Sequence, residues 1–435
     1  MTSKKVAVVG CGAAGLVAAR ELRREGHEVV VFERGMQLGG TWVYTPETEM
    51  DQLGLDSTRN IVHSSLYKSL RTNIPRELLG FRDFPFVASD LPDRDPRRYP
   101  KHEEVLQYLK DFACEFRLND LIRYQTEVLF VGPEIEGRWK VKSRRNRMDD
   151  LDETFDAVVI CNGHYTQPRI ADIPGIEVWP GWQCHSHNYR TPDPYRDQVV
   201  VLVGGSISAV DICKDITGVA KEVHVACRSE RGRNFIKKLG FDNLFLHPMI
   251  DRVHEDGRVA FQDDTNVTAN VILYCTGYKY HYPFLQTGAA VNVDDNRVGP
   301  LYKHVFPPTL APGISFIGIP SFVMPFILFE LQSKWIAKVL SGRISLPSEE
   351  QMMQDIEALY SKLEATNVPK RYTHKLNNNF EFEVENWLAE QCGCAPIEKW
   401  RKDVFYAGHM NLITRPNTYR DDQGLSEERS QQAHQ

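Results

Sequence analysis

Val6-Ala7-Val8-Val9-Gly10-Cys11-Gly12-Ala13-Ala14-Gly15 is an apolar run that leads directly into a Gly-x-Gly-x-x-Gly loop. The run is uniformly apolar rather than alternating, which predicts a strand buried in a parallel sheet. In the loop, Gly10 allows a tight turn, Gly12 lets a pyrophosphate approach the backbone, and Gly15 lets the next helix pack closely on the strand. The phosphates of a dinucleotide would then lie at the N-terminus of that helix.

The residues that follow complete a nucleotide-binding unit. Residues 16–26 are rich in Ala, Leu, Glu and Arg and end on a glycine, which predicts a helix with a glycine stop. A second apolar strand at 29–32 is followed by Glu33, which lies 23 residues after Gly10. That distance is close to the roughly 20 residues expected for an acid that binds an adenosine ribose. The alternative is a strand, turn and helix without a nucleotide, with Glu33 at the surface.

The overall composition limits the functions that this chain can have. At 435 residues, of which 42% are hydrophobic, the chain is long enough for two or three domains with substantial cores. A net charge of −6 argues against a nucleic-acid partner, because such partners need clustered excess Lys and Arg. The basic residues at 144–147 are followed closely by several acids, which favours a solvated loop.

The sequence also predicts a cytoplasmic protein. Its nine cysteines have no regular spacing, as expected in a reducing compartment. The first strand begins close to Met1, so we expect no secretory leader. The most apolar stretch of the C-terminal third, residues 319–331, is shorter than the roughly 20 residues that a membrane-spanning helix needs.

Three segments after the first unit have clear periodicity. The apolar stripe of an amphipathic helix is formed by Val105, Tyr108, Leu109 and Phe112. Residues 126–131 and 139–142 predict two strands of a small antiparallel sheet. Residues 155–163 predict another buried strand, which ends in small residues where a phosphate-bearing ligand can pass.

A second stretch repeats the plan of the opening. Residues 199–211 place Gly204, Ser206 and Ala209 in the three glycine positions. The serine weakens the match, although its side chain is small, and alanine is an accepted variant of the third glycine. The sequence therefore predicts a second nucleotide-binding unit.

The strand end that follows distinguishes the two units. Cys227 lies 23 residues after Gly204, the position that Glu33 has in the first unit, and Arg228 comes next. Loss of the acid and gain of a cation is what a ribose 2′-phosphate requires, so the second unit is predicted to prefer NADP over NAD. The first unit keeps its acid and is predicted to bind a ribose with a free 2′-hydroxyl. The alternative for Arg228 is a solvated charge at a strand end.

Two units with opposite preferences, one suited to FAD and one to NADPH, predict a flavoprotein that is reduced by hydride transfer. A strand and small-residue turn at 271–278 follow the second unit, and a strand at 314–318 returns the chain to the first. The predicted fold is α/β, with two Rossmann-like dinucleotide-binding domains and the NADPH domain inserted in the FAD domain. The predicted boundaries are 1–168 for the first part of the FAD domain, 169–283 for the NADPH domain, and 284–435 for the second part of the FAD domain with a C-terminal helical region and tail.

The connection between the two units contains Cys184, His185 and His187 close together. A metal site is disfavoured there, because the spacing is not that of usual ligand sets and no distant partner pair is evident. Residues 179–189 instead resemble the Phe-x-Gly-x-x-x-His-x-x-x-(Tyr/Phe) signature of class B flavin monooxygenases, with Trp179 in place of the Phe.

The chain resembles flavin-containing monooxygenases over nearly its whole length. The resemblance is carried by both glycine loops, by the signature and by the turn Cys275-Thr276-Gly277-Tyr278. Residues 63–75 and 83–86 are most similar to the plant branch that oxygenates thioether sulfur. The resemblance implies that NADPH reduces FAD, that O₂ then forms a flavin C4a-hydroperoxide, and that the distal oxygen passes to a small-molecule sulfur substrate. That substrate would be an S-alk(en)yl-cysteine derivative or a methylthioalkyl glucosinolate.

The resemblance also implies site residues. Asn73 is the polar residue expected beside the flavin ring and the nicotinamide, and a turn-forming asparagine is the alternative. The residues implied to bind the two cofactors are Gly10, Gly12, Ala13, Ala14, Gly15, Glu33, Arg34, Gly40, Thr41, Trp42, Asn73, Val128, Gly204, Ser206, Ser208, Ala209, Arg228, Thr276, Gly277 and Tyr278. An apolar pocket wall or ordinary core packing is expected of Phe322, Met324, Phe326 and Phe329.

Other functions stay open at this point. The same flavin chemistry serves N-oxygenation of an amine or oxidative decarboxylation of a keto acid, and a non-catalytic redox sensor is a further alternative. A disulfide reductase would need a redox cysteine pair early in the FAD unit, and the span from Cys11 to Cys114 contains no such pair. Residues 421–435 are polar and Gln-rich and are expected to form a mobile tail. The oligomeric state is not predicted.

Overall fold

The computed structural model of the chain describes residues 2–89, 91–146, 148–376 and 380–421. The strands in chain order are β1 Lys5–Val9, β2 Glu28–Phe32, β3 Ile122–Arg123, β4 Thr126–Pro133, β5 Trp139–Arg145, β6 Asp149–Phe155, β7 Ala157–Ile160, β8 Gln167–Pro168, β9 Trp182–His185, β10 Val199–Val203, β11 Glu222–Ala226, β12 Leu244–His247, β13 Ile250–Val253, β14 Arg258–Phe261, β15 Asn266–Thr268, β16 Val271–Tyr274, β17 Tyr278–Lys279, β18 Asn292–Asp294, β19 Arg297–Gly299 and β20 Ile314–Phe316. The helices are α1 Ala13–Arg24, α2 His102–Glu115, α3 Ile207–Thr217, α4 Glu230–Lys237, α5 Pro325–Leu340, α6 Glu349–Ala365, α7 Phe380–Gln391 and α8 Lys399–Thr414.

The first glycine loop leaves the centre of a parallel sheet. The strand order in this sheet is β20-β7-β1-β2-β3, and each neighbouring pair is parallel. Strands β7 and β20 are buried along their whole length, as β1 is after Lys5, because α1, α2 and α5 cover one face of the sheet and the β4–β6 sheet packs on the other. The predicted helix with a glycine stop is confirmed, since α1 ends at Arg24 and the amide of Gly26 donates to the carbonyl of Arg23.

The second glycine loop leaves the centre of a second parallel sheet. Its strand order is β12-β11-β10-β16-β9, again with parallel neighbours. All of its strands lie in the sequence between β7 and β20 of the first sheet. The fold is therefore α/β with two Rossmann-like units, the second inserted in the first, as the sequence predicts. The domain boundaries at 168/169 and 283/284 stay predictions.

The small antiparallel sheet is confirmed, but its third strand corrects one prediction. Strands β4, β5 and β6 are neighbours in that order, so the charged segment expected to be a solvated loop is the hairpin of β5 and β6. Arg144 lies opposite Asp150, and its Nε donates to Oδ1 across 2.6 Å. Opposite charges on facing strands pair as readily as they are solvated, so mixed charge alone does not exclude a hairpin. Arg147 lies outside the described residues.

The helices complete the first domain. The stripe predicted for α2 is confirmed, since its four residues Val105, Tyr108, Leu109 and Phe112 are buried in the core that also contains α1 and α5. The C-terminal helix α8 reaches the second domain, where the ammonium group of Lys238 donates to the carbonyl of Ile413. None of the described helices is both long enough and apolar enough to cross a membrane. The predicted tail lies outside the described residues after Asp421.

Candidate functional site

The two glycine loops open into one cleft between the two parallel sheets, with a volume of about 3260 Å³. All of the predicted site residues line this cleft except Gly15 and Ala209. Those two occupy the third glycine position of their loops, where the expected role is helix packing rather than contact with a ligand.

The backbone of the first loop has the close packing that its glycines predict. Gly10 has a φ of +101°, and a Cβ there would lie 2.5 Å from the carbonyl oxygen of Cys161. A Cβ on Gly15 would overlap the carbonyl oxygen of Gly10, so α1 lies directly against the end of β1. This end of the sheet therefore admits no side chain at either position.

The carboxylate of Glu33 spans the first loop. Its Oε2 accepts the amide of Cys11 at 3.0 Å, and its Oε1 accepts the amide of Gly35 at 2.7 Å. Burial raises the pKa of Glu33, while those two amides act in the opposite direction. The next residue, Arg34, donates to the carbonyl of Ile61 at 2.8 Å and so holds the backbone at Ile61 close to the first loop.

A second glycine turn meets the first loop. The amide of Gly39 donates to the carbonyl of Cys11 at 2.9 Å, and a Cβ on Gly40 would lie 2.9 Å from the Cα of Gly12. The two backbones therefore form one continuous surface, with Thr41 and Trp42 next to it and facing the cleft. The glycine pair at 39–40 is therefore part of the surface of the first loop and not an isolated turn. The predicted residue Val128, on β4, is half-buried and faces the same region.

The second loop repeats this backbone. Gly204 has a φ of +135°, and a Cβ there would lie 2.5 Å from the carbonyl oxygen of Cys275. Helix α3 begins after Ser206, whose carbonyl accepts the amide of Val210 at 3.1 Å. Ser208 faces the cleft in the first turn of α3, while Ala209 is buried in the core of the second domain.

Arg228 is exposed at the end of β11 and faces the cleft, where three further cations join it. Arg371 hydrogen-bonds the same Tyr372 hydroxyl as Arg228, and Nζ of Lys375 lies 5.7 Å from the ring centroid of Tyr372. The third is Arg231, three residues after Arg228, which also lines the cleft. Burial raises the pKa of the Tyr372 hydroxyl, but hydrogen bonds from Arg371 and Arg228 outweigh burial and lower it. Arg228 therefore belongs to a cationic cluster that both domains build.

No local pattern marks Arg371 or Lys375 as partners of Arg228. They lie more than 140 residues away in sequence, in a segment with no recognisable motif, and only the packing of the two domains brings them to this end of the cleft. The cluster places positive charge where the sequence predicts a ribose 2′-phosphate.

The turn at 275–278 connects the two domains. The carbonyl of Gly277 accepts the amide of Arg169 at 2.9 Å, and the hydroxyl of Thr276 donates to the carbonyl of the same arginine. Tyr278 then pairs with Pro168 in a two-stranded ladder. The turn is therefore held at the point where the chain passes between the sheets.

The histidines of the 179–189 segment have structural partners. Nδ1 of His185 accepts the amide of His187, so its Nε2 carries the proton and donates to the carbonyl of Gly277 at 3.0 Å. His187 lies 3.1 Å from the buried carboxylate of Glu49, which also accepts Nε of Arg59 at 2.7 Å. Within the described ranges, no group of three or more His, Cys, Asp and Glu side chains is arranged to hold a metal ion.

Asn73 lies in a loop at the edge of the cleft, and its side chain is exposed to it. The loop is held from behind, since the amide of Thr72 donates to the carbonyl of Pro100 and the carbonyl of Thr72 accepts Nε of Arg420, both at 2.9 Å. The residue that the resemblance implies as catalytic therefore faces the same space as both glycine loops.

The expected apolar wall divides into two groups. Phe322, Phe326 and Phe329 line the cleft, and Phe322 is 40% exposed there. Met324 is fully buried in the core of the first domain and does not line the cleft, so core packing, the other of its two expected roles, holds for it. It packs inward because it precedes the first turn of α5, whose apolar face covers the first sheet.

Comparison with known proteins covers most of the chain. Residues 3–242 and 238–397 match the family described as FMO-like, flavin-binding monooxygenase-like. The chain is 58% identical to flavin-containing monooxygenase FMO GS-OX-like 3 of Arabidopsis thaliana over 424 residues, which is 97% of this chain and 94% of the relative. It is 57% identical to FMO GS-OX5 of the same plant over 423 residues, 97% of this chain and 92% of the relative.

A solved structure is similar over the whole chain. S-allyl-L-cysteine S-oxygenase from Allium sativum superposes with a TM-score of 0.95 at 55% identity, covering 100% of this chain and 98% of that one.

Proposed function

The chain belongs to the flavin-binding monooxygenase-like family, and on this premise we propose that it is an NADPH- and O₂-dependent enzyme that converts a thioether to a sulfoxide. The substrate class that we propose is an S-alk(en)yl-cysteine derivative or a methylthioalkyl glucosinolate. In the balanced reaction, the thioether, O₂, NADPH and a proton give the sulfoxide, NADP⁺ and water. The thioether sulfur loses two electrons, NADPH supplies two, and O₂ takes up all four.

The observation that carries this proposal is the pair of glycine loops facing one cleft with opposite groups at the equivalent strand ends. Glu33 holds a carboxylate at the first loop, which suits the free ribose hydroxyls of FAD. Arg228 and its neighbouring cations stand at the second loop, which suits the 2′-phosphate of NADPH. Two nucleotides held in this way would bring their reactive rings together in the space that Asn73 faces.

The first loop fits a flavin dinucleotide. The backbones of Gly12 and Gly40 approach each other with no side chain between them and the cleft, so a pyrophosphate has access to main-chain amides at the start of α1. When bound, the flavin would supply the redox chemistry, taking electrons from NADPH and passing an oxygen atom from O₂ to sulfur. The protein's part is then to orient both rings and exclude water.

Three sets of residues in this chain would orient the rings and exclude water. Asn73 would donate a hydrogen bond from its amide beside the two rings. Phe326 stacks on Phe81 at 5.2 Å, and with Phe322 and Phe329 it walls the cleft with apolar surface that displaces water. We assign the other cofactor-binding roles to the predicted residues that line the cleft, with Gly15 and Ala209 as packing residues.

The preference for sulfur over nitrogen or carbon rests on similarity. A relative of known structure, similar over the full length of this chain, is named as an S-oxygenase of S-allyl-L-cysteine. We also propose a cytoplasmic location. All nine cysteines lie in the described part of the chain and none forms a disulfide, which agrees with a reducing compartment.

The test is a product assay with labelled oxygen. Purified flavin-loaded protein is incubated with NADPH and ¹⁸O₂ and, in parallel, with S-allyl-L-cysteine, a methylthioalkyl glucosinolate, a tertiary amine and an aryl keto acid. We expect a sulfoxide that carries one ¹⁸O atom from at least one thioether, with one NADPH consumed per sulfoxide. Anaerobic incubation is the control and should give no sulfoxide.

Other outcomes would replace this proposal. An N-oxide or a decarboxylated acid as the main labelled product would favour the rival oxygenation chemistries. Slow NADPH consumption with no oxygenated product from any member of the panel would favour a redox sensor.

A further inference from the structure

The C-terminal turn Tyr419–Asp421 places one arginine between the two domains. Nη1 and Nη2 of Arg420 donate to the two carboxylate oxygens of Asp211 at 2.8 and 2.6 Å. Its Nε donates to the carbonyl of Thr72 at 2.9 Å, and its own carbonyl accepts Nη2 of Arg71 at 2.7 Å. One side chain therefore binds a helix of the second domain and a loop of the first.

Both anchors of Arg420 lie next to the proposed cofactor sites. Asp211 is in the second turn of α3, directly after the second glycine loop, and faces the cleft. Thr72 immediately precedes Asn73. Tyr67, from the same loop as Asn73, donates its hydroxyl to Asp211 at 2.8 Å. The loop that carries Asn73 is thus tied to α3 of the second domain through Asp211, and also through the hydroxyl of Ser69, which donates to Asp215.

The charge balance shows why this arginine is needed. Burial disfavours the charged guanidinium, but the carboxylate of Asp211 outweighs burial, so the pKa of Arg420 is raised above its usual value. Asp211 is itself only 8% exposed, and without Arg420 it would be a buried negative charge beside the proposed site of the NADPH phosphates. The ion pair therefore removes the repulsion between Asp211 and the proposed NADPH phosphates. It also fixes the distance between α3 and the Asn73 loop.

We propose that Arg420 is a positioning residue that sets Asn73 relative to the nucleotide bound at the second loop. The inference rests on the proposed function, in which Asn73 lies beside the two rings. A C-terminal turn far from either glycine loop in sequence thereby becomes part of the active-site frame, because it determines where the Asn73 loop stands when the second domain holds its cofactor.

The contacts of Arg420 distinguish positioning of the Asn73 loop from simple neutralisation of Asp211. Arginine offers a planar fork to the carboxylate and a third donor, Nε, to the carbonyl of Thr72. Lysine keeps the positive charge near Asp211, but it offers one nitrogen in place of the three that reach the carboxylate and the carbonyl, so the fork and the separate Nε donor are lost. Arg420→Lys therefore weakens the contact with the Asn73 loop but keeps a positive charge beside Asp211. It is also a milder variant than Arg420→Ala, should that one fail to fold.

The experiment compares Arg420→Lys with wild type in the full-length, flavin-loaded protein. Hydrogen–deuterium exchange of the peptide covering 66–74 should become faster, by about fivefold for the loss of one hydrogen bond. The fraction of oxidised NADPH that ends as sulfoxide should fall by a similar factor, on the order of fivefold, with the remainder as hydrogen peroxide. The KM for NADPH should stay within about twofold, because the charge beside Asp211 is kept.

Lys214→Ala provides the matched control. Lys214 is also on α3 and binds the same C-terminal segment, through the carbonyls of Pro416 and Asn417 at 3.3 and 3.4 Å, but among the described residues it makes no hydrogen bond to the Asn73 loop. It should leave exchange at 66–74 and the sulfoxide fraction unchanged.

The proposal would be overturned by Arg420→Lys with wild-type exchange at 66–74 and wild-type sulfoxide fraction, or by equal effects in Lys214→Ala. A wild-type protein that makes no sulfoxide, together with faster exchange in Arg420→Lys, would reject the proposed function and keep the tie between loop and helix. The exchange measurement therefore separates the two failures.

Discussion

The two glycine loops have the same backbone conformation, but the residues at the strand end beside each loop differ. Gly10 and Gly204 both have positive φ, and a Cβ on either would lie 2.5 Å from a cysteine carbonyl oxygen. The two cysteines directly follow β7 and β16, the strands that neighbour β1 and β10. At the equivalent strand ends, Glu33 accepts the amide of Cys11, whereas the sulfur of Cys227 packs so close to Gly205 that a Cβ there would collide with it.

Under the proposed function, that difference is how one fold would select two nucleotides. Cys11 and Gly205 are the same position of the two loops, so the same point is contacted by a carboxylate in one unit and by a thiol in the other. The thiol fills space and is only a weak hydrogen-bond acceptor, so under the proposed function the next residue, Arg228, and cations from the first domain would select the nucleotide. The third glycine position differs as well, because the second helix tolerates the methyl group of Ala209.

The largest effect is expected at this third position. Gly15→Ala should lower the free energy of unfolding by about 3 kcal/mol and abolish flavin binding, because the new methyl group overlaps the carbonyl of Gly10. Thermal unfolding and the ratio of flavin to protein absorbance measure both. The reverse change in the other unit, Ala209→Gly, should cost only about 1 kcal/mol and leave the flavin content unchanged. Normal flavin content in Gly15→Ala would refute the close packing of the first loop.

The second-largest effect is expected at Asn73, which faces the cleft between the two glycine loops. Asn73→Ala and Asn73→Asp should fold and bind flavin, yet form sulfoxide more slowly by a factor on the order of a hundred, the usual size for one preorganised donor. NADPH oxidation should continue and appear as hydrogen peroxide, so sulfoxide and peroxide are measured in the same reaction. Undiminished sulfoxide yield would remove Asn73 from the mechanism.

A smaller and more selective effect is expected at the second loop. Arg228→Ala should raise the KM for NADPH about ten- to a hundredfold, as for the loss of a charged hydrogen bond, and change the KM for NADH by less than about twofold. Arg233→Ala is the control, since that arginine binds the carbonyl of Cys227 and does not line the cleft. Equal changes for both nucleotides in Arg228→Ala would mean that it does not contact the 2′-phosphate.

The smallest effect concerns the connection between the two units. Burial, with a smaller contribution from His187, lowers the pKa of His185 to about 3 from its usual 6.5. The unfolded chain therefore binds a proton below pH 6.5 that the folded protein binds only near pH 3, and stability is lost as pH falls through that window. His185→Gln should reduce this loss by about 1 kcal/mol per pH unit, measured as unfolding midpoints between pH 6.5 and 4.5. Parallel pH profiles of the variant and wild type would contradict it.

Local pattern was sufficient for most of the fold. The two parallel sheets follow from features that depend on neighbours in sequence. These are the apolar runs, the glycines at fixed offsets, and the position of Glu33 and of Cys227, each 23 residues after the first glycine of its loop. The hairpin at Arg144 was missed because mixed charge is compatible with either a solvated loop or paired strands. For Met324 the sequence left pocket wall and core packing open, because an apolar side chain beside a cleft can point either way.

The sequence by itself determined two nucleotide-binding units, their order and their opposite charge at the strand end, because these features are short-range and chemically direct. Only the tertiary structure decided that Arg371 and Lys375 join Arg228, and that Arg420 ties Asp211 to the loop of Asn73. Such contacts join residues more than a hundred positions apart. They depend on how complete domains pack, and no local periodicity records that arrangement.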